Sequence, residues 1–195
     1  MSGRPRSFDE EQVLERAMFA FWKHGFEATG MADLEQATGL GRQSLYGAFG
    51  DKRAVFLKVV EFYFAKVLTV GLIDVLDAPG SALANLERVF AQWQALAVSP
   101  DFHGCLVGNA ASDMRAHDDE MKEVLRRKLR LLEDAFTRAI RRGQSLGEIS
   151  TGVDARATAR SLLTLAQGLA VLARVHKEPS FVRGVVECAR KLLSA

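Results

Sequence analysis

Residues 26–52 read FEATGMADLEQATGLGRQSLYGAFGDK. Two short segments, 31–38 and 42–49, each repeat apolar residues at helical spacing, and Gly39 and Gly41 lie between them. That arrangement predicts a helix-turn-helix, whose second helix enters the DNA major groove with its first residues against the base edges. Arg42, Gln43 and Ser44 open the second helix, and all three side chains can reach a groove.

Leu34, Ala37, Leu40, Leu45 and Phe49 are expected to form the inner face, joined by Phe21 and Trp22 from the preceding helix. Arg42, Gln43, Ser44 and Tyr46 are then left facing outward. Arginine pairs bidentately with guanine and glutamine with adenine, so this face can discriminate bases. Tyr46 and Lys52 are expected at phosphates. So is the start of the 31–38 helix, with Thr29 and Met31, because free helix amides suit an anion. Arg4-Pro5-Arg6 forms a short basic arm, able to touch a phosphate or enter the minor groove. The competing reading of the same pattern is a helical hairpin whose polar residues are merely solvated.

Bulk charge does not single out this region. Arg4, Arg6, Arg16, Lys23, Arg42, Lys52, Arg53 and Lys58 are matched one for one by Asp9, Glu10, Glu11, Glu15, Glu27, Asp33, Glu35 and Asp51. The whole chain of 195 residues carries only +2. Placement, not total charge, carries the reading. At 48% hydrophobic and 26% charged residues the composition fits a soluble globular chain. No run of apolar residues is long enough to span a membrane. The N-terminus lacks the apolar core of a secretory signal, so a cytoplasmic location is expected.

The four prolines, Pro5, Pro79, Pro100 and Pro179, fall where helical periodicity is already interrupted. There is no alternating strand pattern, and the chain reads as all-α. Ser7-Phe8-Asp9-Glu10 is a capping box opening a first helix that ends at Gly25. After the helix-turn-helix, a fourth helix runs from Lys52 to the mid-70s, apolar on more than one face, with Gly71 as a candidate kink. Further helices are expected over about 81–97, 105–115, 118–142, 154–176 and 180–193, with Gly143 and Gly147 breaking the pattern. This makes about nine helices. Residues 1–51 form a helix-turn-helix DNA-binding domain, and 52–195 a helical domain for ligand binding and dimerisation.

Gly25-Phe26-Glu27-Ala28-Thr29, Leu34, Thr38-Gly39-Leu40, Ser44-Leu45-Tyr46, Phe49 and Lys52 resemble the N-terminal signature of the TetR family of repressors. The resemblance covers about residues 4–60; beyond them it rests on length and helical rhythm. It implies an all-α homodimer that binds a palindromic operator and is released by a ligand in its C-terminal domain. Three positions depart from the family pattern. Gly30 lacks the capping hydroxyl often found there, Gly41 replaces a frequent serine, and Gly47 replaces an aromatic or histidine. Base reading is therefore expected to rest mainly on Arg42 and Gln43.

Ala159, Leu163, Ala166, Ala170 and Ala173 in the 154–176 segment, with Val182, Val185, Val186 and Ala189 in the last helix, form small and apolar stripes. They suit a four-helix bundle between two subunits, or equally the chain's own core. Cys105 follows Gly104 near a predicted helix start, with His103 beside it, an arrangement that favours a reactive thiolate. A small buried hydrophobe is the alternative. Cys188 is expected in the core. Phe62, Phe90, Trp93, Phe102, Asn109, Met114 and Gln167 are candidates for a small-molecule pocket between the C-terminal helices.

Two cysteines make no disulfide framework or zinc motif. The four histidines have no ligand partner at one-turn spacing, and no phosphate-binding glycine motif is present. No cofactor, metal or enzymatic activity is expected. A helical enzyme or an interaction module without operator binding is the alternative class.

Overall fold

A computed structural model of the chain describes residues 8–113 and 118–194. Every regular element among them is helical, as the sequence predicts. α1 spans Glu10–His24, α2 Met31–Thr38 and α3 Arg42–Phe49. α4 is one continuous rod, α-helical over Lys52–Tyr63, π-helical over Phe64–Ile73 and α-helical again over Asp74–Asp77. Then come α5 (Ala82–Ala97), α6 (Leu106–Asp113), α7 (Asp119–Ser145), α8 (Ala155–Leu172) and α9 (Pro179–Lys191).

The boundaries follow capping chemistry. Asp9 caps α1, its carboxylate accepting from the backbone N–H groups of Glu11 and Gln12 at 2.9 and 3.3 Å. The expected capping box is thus corrected: a carboxylate next to the positive helix end takes the role assigned to Ser7, which lies outside the described residues. Gly39 adopts a left-handed conformation (φ +73°) and closes α2 by donating to the Glu35 carbonyl. That turn folds α3 back across α2. α7 runs through Gly143, where a break was expected. A Cβ there would lie 2.7 Å from Ile149 Cδ1, so this glycine makes room for Ile149, and the chain turns instead at Gly147 (φ +72°). The irregularity expected at Gly71 takes the form of the π-helical stretch that contains it.

Two large apolar clusters hold the molecule together. The first gathers Val13, Ala17, Met18 and Phe21 of α1 with Leu34, Leu45 and Phe49. It continues through Val55, Phe56, Val59 and Tyr63 of α4 into Leu106, Val107 and Ala110 of α6 and Met121 and Leu125 of α7. The Phe56 ring meets those of Phe21 and Phe26, both at 4.9 Å between centroids. The second cluster joins Leu76, Leu86 and Phe90 to Phe136 and Ile140 of α7, Leu162 of α8 and Val186 of α9. α4 threads both clusters, and its first half is as much part of the N-terminal core as α3 is.

Candidate nucleic-acid interface and its regulatory contacts

α3 is held by two buried anchors, Leu45 and Phe49, one turn apart. With those side chains directed inward, Arg42, Gln43, Ser44 and Tyr46 are exposed. Gly41 caps α3 without any side-chain hydrogen bond. The Ser44 and Leu45 amides donate back to the Gly41 carbonyl at 2.9 and 3.1 Å, which leaves the Arg42 and Gln43 amides at the open end of the helix. Gly47 is also on the exposed side, with open space where a Cβ would stand. The result is an exposed helix face that presents Arg42, Gln43, Ser44 and Tyr46 to solvent.

Several residues expected at the interface have other work. Thr29 is fully buried, and its hydroxyl donates to the Gly25 carbonyl at 2.6 Å, fixing the loop between α1 and α2. It has no surface to offer a phosphate. Met31 is half-buried against the N-terminal core. Lys52 donates to the carbonyls of Phe26 and Glu27 at 3.0 and 3.4 Å and sits 4.4 Å above the Phe26 ring. It ties the α1–α2 loop to α4. Arg4 and Arg6 lie outside the described residues.

Trp22 does not belong to the inner face of the helix-turn-helix. Its indole N–H donates to the Gly104 carbonyl at 3.0 Å, and its ring meets Tyr63 edge-on at 5.1 Å. It bridges α1 to the segment that opens α6. There Cys105 acts as N-cap, its carbonyl accepting from Asn109 N–H at 2.8 Å. The Cys105 side chain is buried, with the Gln167 amide nitrogen 3.7 Å from its sulfur. Burial, reinforced by the Cys105 thiol against it, pushes the Tyr63 phenol well above its ordinary pKa, and the Leu106 backbone N–H offsets this only in part. Asn109 donates to the His103 carbonyl at 2.9 Å. A buried thiol at a helix start thus has polar neighbours from α4 and α8.

The expected pocket residues do not converge. Cys105, Asn109 and Gln167 come together, with Phe102 packed nearby against the first cluster. Phe90 is fully buried in the second cluster, where the Trp93 ring meets it at a tilt, 5.3 Å between centroids, and meets Phe136 edge-on at 6.0 Å. Phe62 is half-buried against the first cluster. Met114 lies outside the described residues. A cleft of about 680 Å³ opens elsewhere, where Phe26, Lys52 and Phe56 face Ala110, Asp113 and Met121. No effector candidate among the described residues lines it. In its wall, Arg53 of α4 grips Asp118 through two nitrogens, at 2.7 and 3.2 Å, and Glu120 at 2.6 Å. No signal in the sequence marks this latch, because its members stand 65 and 67 residues apart.

Residues 13–59 match the family model of bacterial regulatory proteins of the tetR family, and residues 82–188 match that of the tetracyclin repressor-like C-terminal domain. The chain belongs to the TetR family. The HTH-type transcriptional regulator YezE of Bacillus subtilis is 31% identical over 98% of this chain and 99% of its own length. The HTH-type transcriptional repressor ComR of Escherichia coli is 30% identical over 88% of this chain and 82% of its own. Among solved structures, a cysteine-substituted form of the TetR family regulator CifR, in complex with 26-base-pair operator DNA, superimposes with a TM-score of 0.84. It is 31% identical and covers 97% of this chain and 98% of its own.

Within this TetR-family chain the expected dimer stripe needs correction. Ala159, Ala170 and Ala173 of the α8 segment, and Val182, Val186 and Ala189 of α9, are buried inside the subunit and leave no surface for a partner. Leu163, Ala166 and Val185 are half-buried. The outward faces are instead made by Thr164, Gly168, Val171 and Leu172 on α8, and by Gly184 and Cys188 on α9. Cys188, expected in the core, is exposed. The period was read correctly but its phase was not: alanine suits a tight core crossing as well as a subunit contact, and only packing distinguishes them.

Proposed function

We propose that this chain is a dimeric transcriptional regulator that represses by occupying a palindromic operator, with Arg42 and Gln43 as its base readers. One observation carries the reading: Arg42 and Gln43 stand exposed at the start of a helix that has no side-chain cap and whose other side is locked into the core by Leu45 and Phe49. Ser44, Tyr46 and the free amides of α3 serve the phosphates beside them. Operator binding by the similar protein CifR supports the same reading. The DNA-reading unit of residues 1–51 works with the first half of α4, which completes its core. Two copies join through the exposed faces of α8 and α9, where Gly168 and Gly184 allow close helix approach. No helix among the described residues is long and apolar enough to cross a membrane. The regulator works in the cytoplasm, on double-stranded DNA.

Release follows from an effector acting on the regulatory domain, either a small molecule or a thiol-reactive compound. The Cys105 cluster favours the second. Cys105 opens α6, whose start is held by Trp22 of α1 and Tyr63 of α4, so a change in bulk there presses directly on the helices that carry the reader. DNA selected from random duplexes gives the operator. Arg42→Ala should weaken it by roughly 1–3 kcal/mol and relax preference at one position. Unchanged binding and preference would refute the assignment of Arg42. Cys105→Ser should abolish release by a quinone or aldehyde; persistent release would remove the thiol from the mechanism.

A further inference from the structure

Arg42 is paired on the protein surface. Its Nε donates to Oε1 of Glu35, the last-turn carboxylate of α2, at 2.9 Å. The two side chains are 62% and 31% exposed. An ion pair this open to solvent contributes little to folding stability, so the fold does not explain it. The backbone nevertheless sets the two residues side by side. The Glu35 backbone carbonyl accepts from Gly39 in the left-handed turn that reverses the chain, and that turn brings α3 back beside α2. The same residue therefore closes α2 through its backbone and reaches the first side chain of α3 through its carboxylate.

Which nitrogen is engaged matters. The guanidinium carries five N–H donors in a planar fork. With Nε held by Glu35, neither terminal Nη group has a hydrogen-bond partner among the described residues, and two parallel donors are what the O6 and N7 of a guanine accept in the major groove. A carboxylate at this place also repels phosphates on any sequence. Its penalty is therefore uniform across DNA, while its benefit is confined to sites that give the oriented fork a guanine. We infer that Glu35 is a positioning residue for base reading, which orients Arg42 end-on toward a guanine and exchanges general DNA affinity for preference at that one base pair.

This inference rests on Arg42 being a base reader, and the test separates the two. Full-length protein and the variants Glu35→Ala, Glu35→Gln and Arg42→Ala are titrated against the selected operator. The same titrations use operators with each alternative at the contacted pair, and an unrelated duplex. Arg42→Ala identifies the pair by flattening its preference. Glu35→Ala should lower preference at that same pair by roughly 3- to 5-fold, a part of the roughly 5- to 150-fold carried by a good bidentate contact. Its binding to unrelated DNA should stay level or tighten. Glu35→Gln retains an acceptor without the charge. It should keep most of the preference and gain on unrelated DNA. The inference is overturned if Glu35→Ala keeps full preference at the pair that Arg42→Ala flattens. It is equally overturned if Glu35→Ala weakens operator and unrelated DNA alike, which marks a merely structural role. Should Arg42→Ala flatten no pair, both the base-reader assignment and this inference fall together.

Discussion

The Thr29 hydroxyl illustrates how a small polar side chain beside a DNA-reading helix can serve the fold alone. It is buried and donates to the Gly25 carbonyl at 2.6 Å. Thr29→Val keeps the volume and removes the donor, leaving a part-buried carbonyl short of a partner. The expected cost is about 1 kcal/mol, or about 2–4 °C in Tm for a chain of this size. Operator affinity of the folded variant should stay within about twofold, since no phosphate contact is lost; a clear drop in a fluorescence titration would return Thr29 to the interface. Residues such as Arg42, Gln43 and Tyr46 were legible in the sequence because two buried anchors at Leu45 and Phe49 fix which side of a short helix faces out. Thr29 and Trp22 were not, because a threonine or tryptophan beside an apolar stripe fits several partners and only the packed neighbours choose among them.

At the scale of elements, the start of α6 is the most constrained point between reader and regulatory helices. Gly104 adopts φ +83°, and a Cβ there would lie 2.8 Å from the backbone carbonyl of Ala170 on α8. Its own carbonyl takes the Trp22 hydrogen bond. Gly104→Ala combines left-handed strain with a backbone clash that no side-chain rotation relieves, and should destabilise by roughly 1–3 kcal/mol. Thermal unfolding measures it, and a Tm unchanged from the parent would contradict this packing. Helix positions and their order followed from periodicity and glycine or proline punctuation. The π-helical stretch of α4 did not, because apolar residues on several faces leave the turn-by-turn register to tertiary packing, here against α7.

At the scale of the whole molecule, the Arg53 latch ties α4 to the start of α7. The Arg53 guanidinium, with the Met121 backbone N–H, holds the Asp118 carboxyl below its ordinary range. A depressed folded-state pKa means that the stabilisation is fully present above the unfolded carboxylate value, near 4, and is lost as pH falls through the lower folded value. The latch therefore stays closed at neutral pH and opens only in acid. Asp118→Asn should lower Tm at pH 7 and flatten the acid limb of the Tm–pH curve; parallel curves for variant and parent would count against the latch. The outward faces of α8 and α9 make a second whole-molecule prediction. Gly168→Arg puts a long cation where nothing now stands within 4 Å, so the subunit itself should fold unchanged. Light scattering should report the mass of a monomer at micromolar concentration. Operator affinity should fall by roughly 100-fold or more as two-site binding is lost.

The sequence by itself determined the helical class, the order of the elements and the outward side of α3. Those properties are written in local periodicity, in capping residues and in glycines that end helices. Tertiary structure alone decided what lies between distant segments. It sent the alanines of α8 inward and Cys188 outward, and it brought Trp22 to Gly104, Arg53 to Asp118, and Tyr63 and Gln167 to the Cys105 thiol. The reason is physical. A helix's period fixes which residues share a face, but only competition among neighbouring surfaces for burial decides which face is covered and by what.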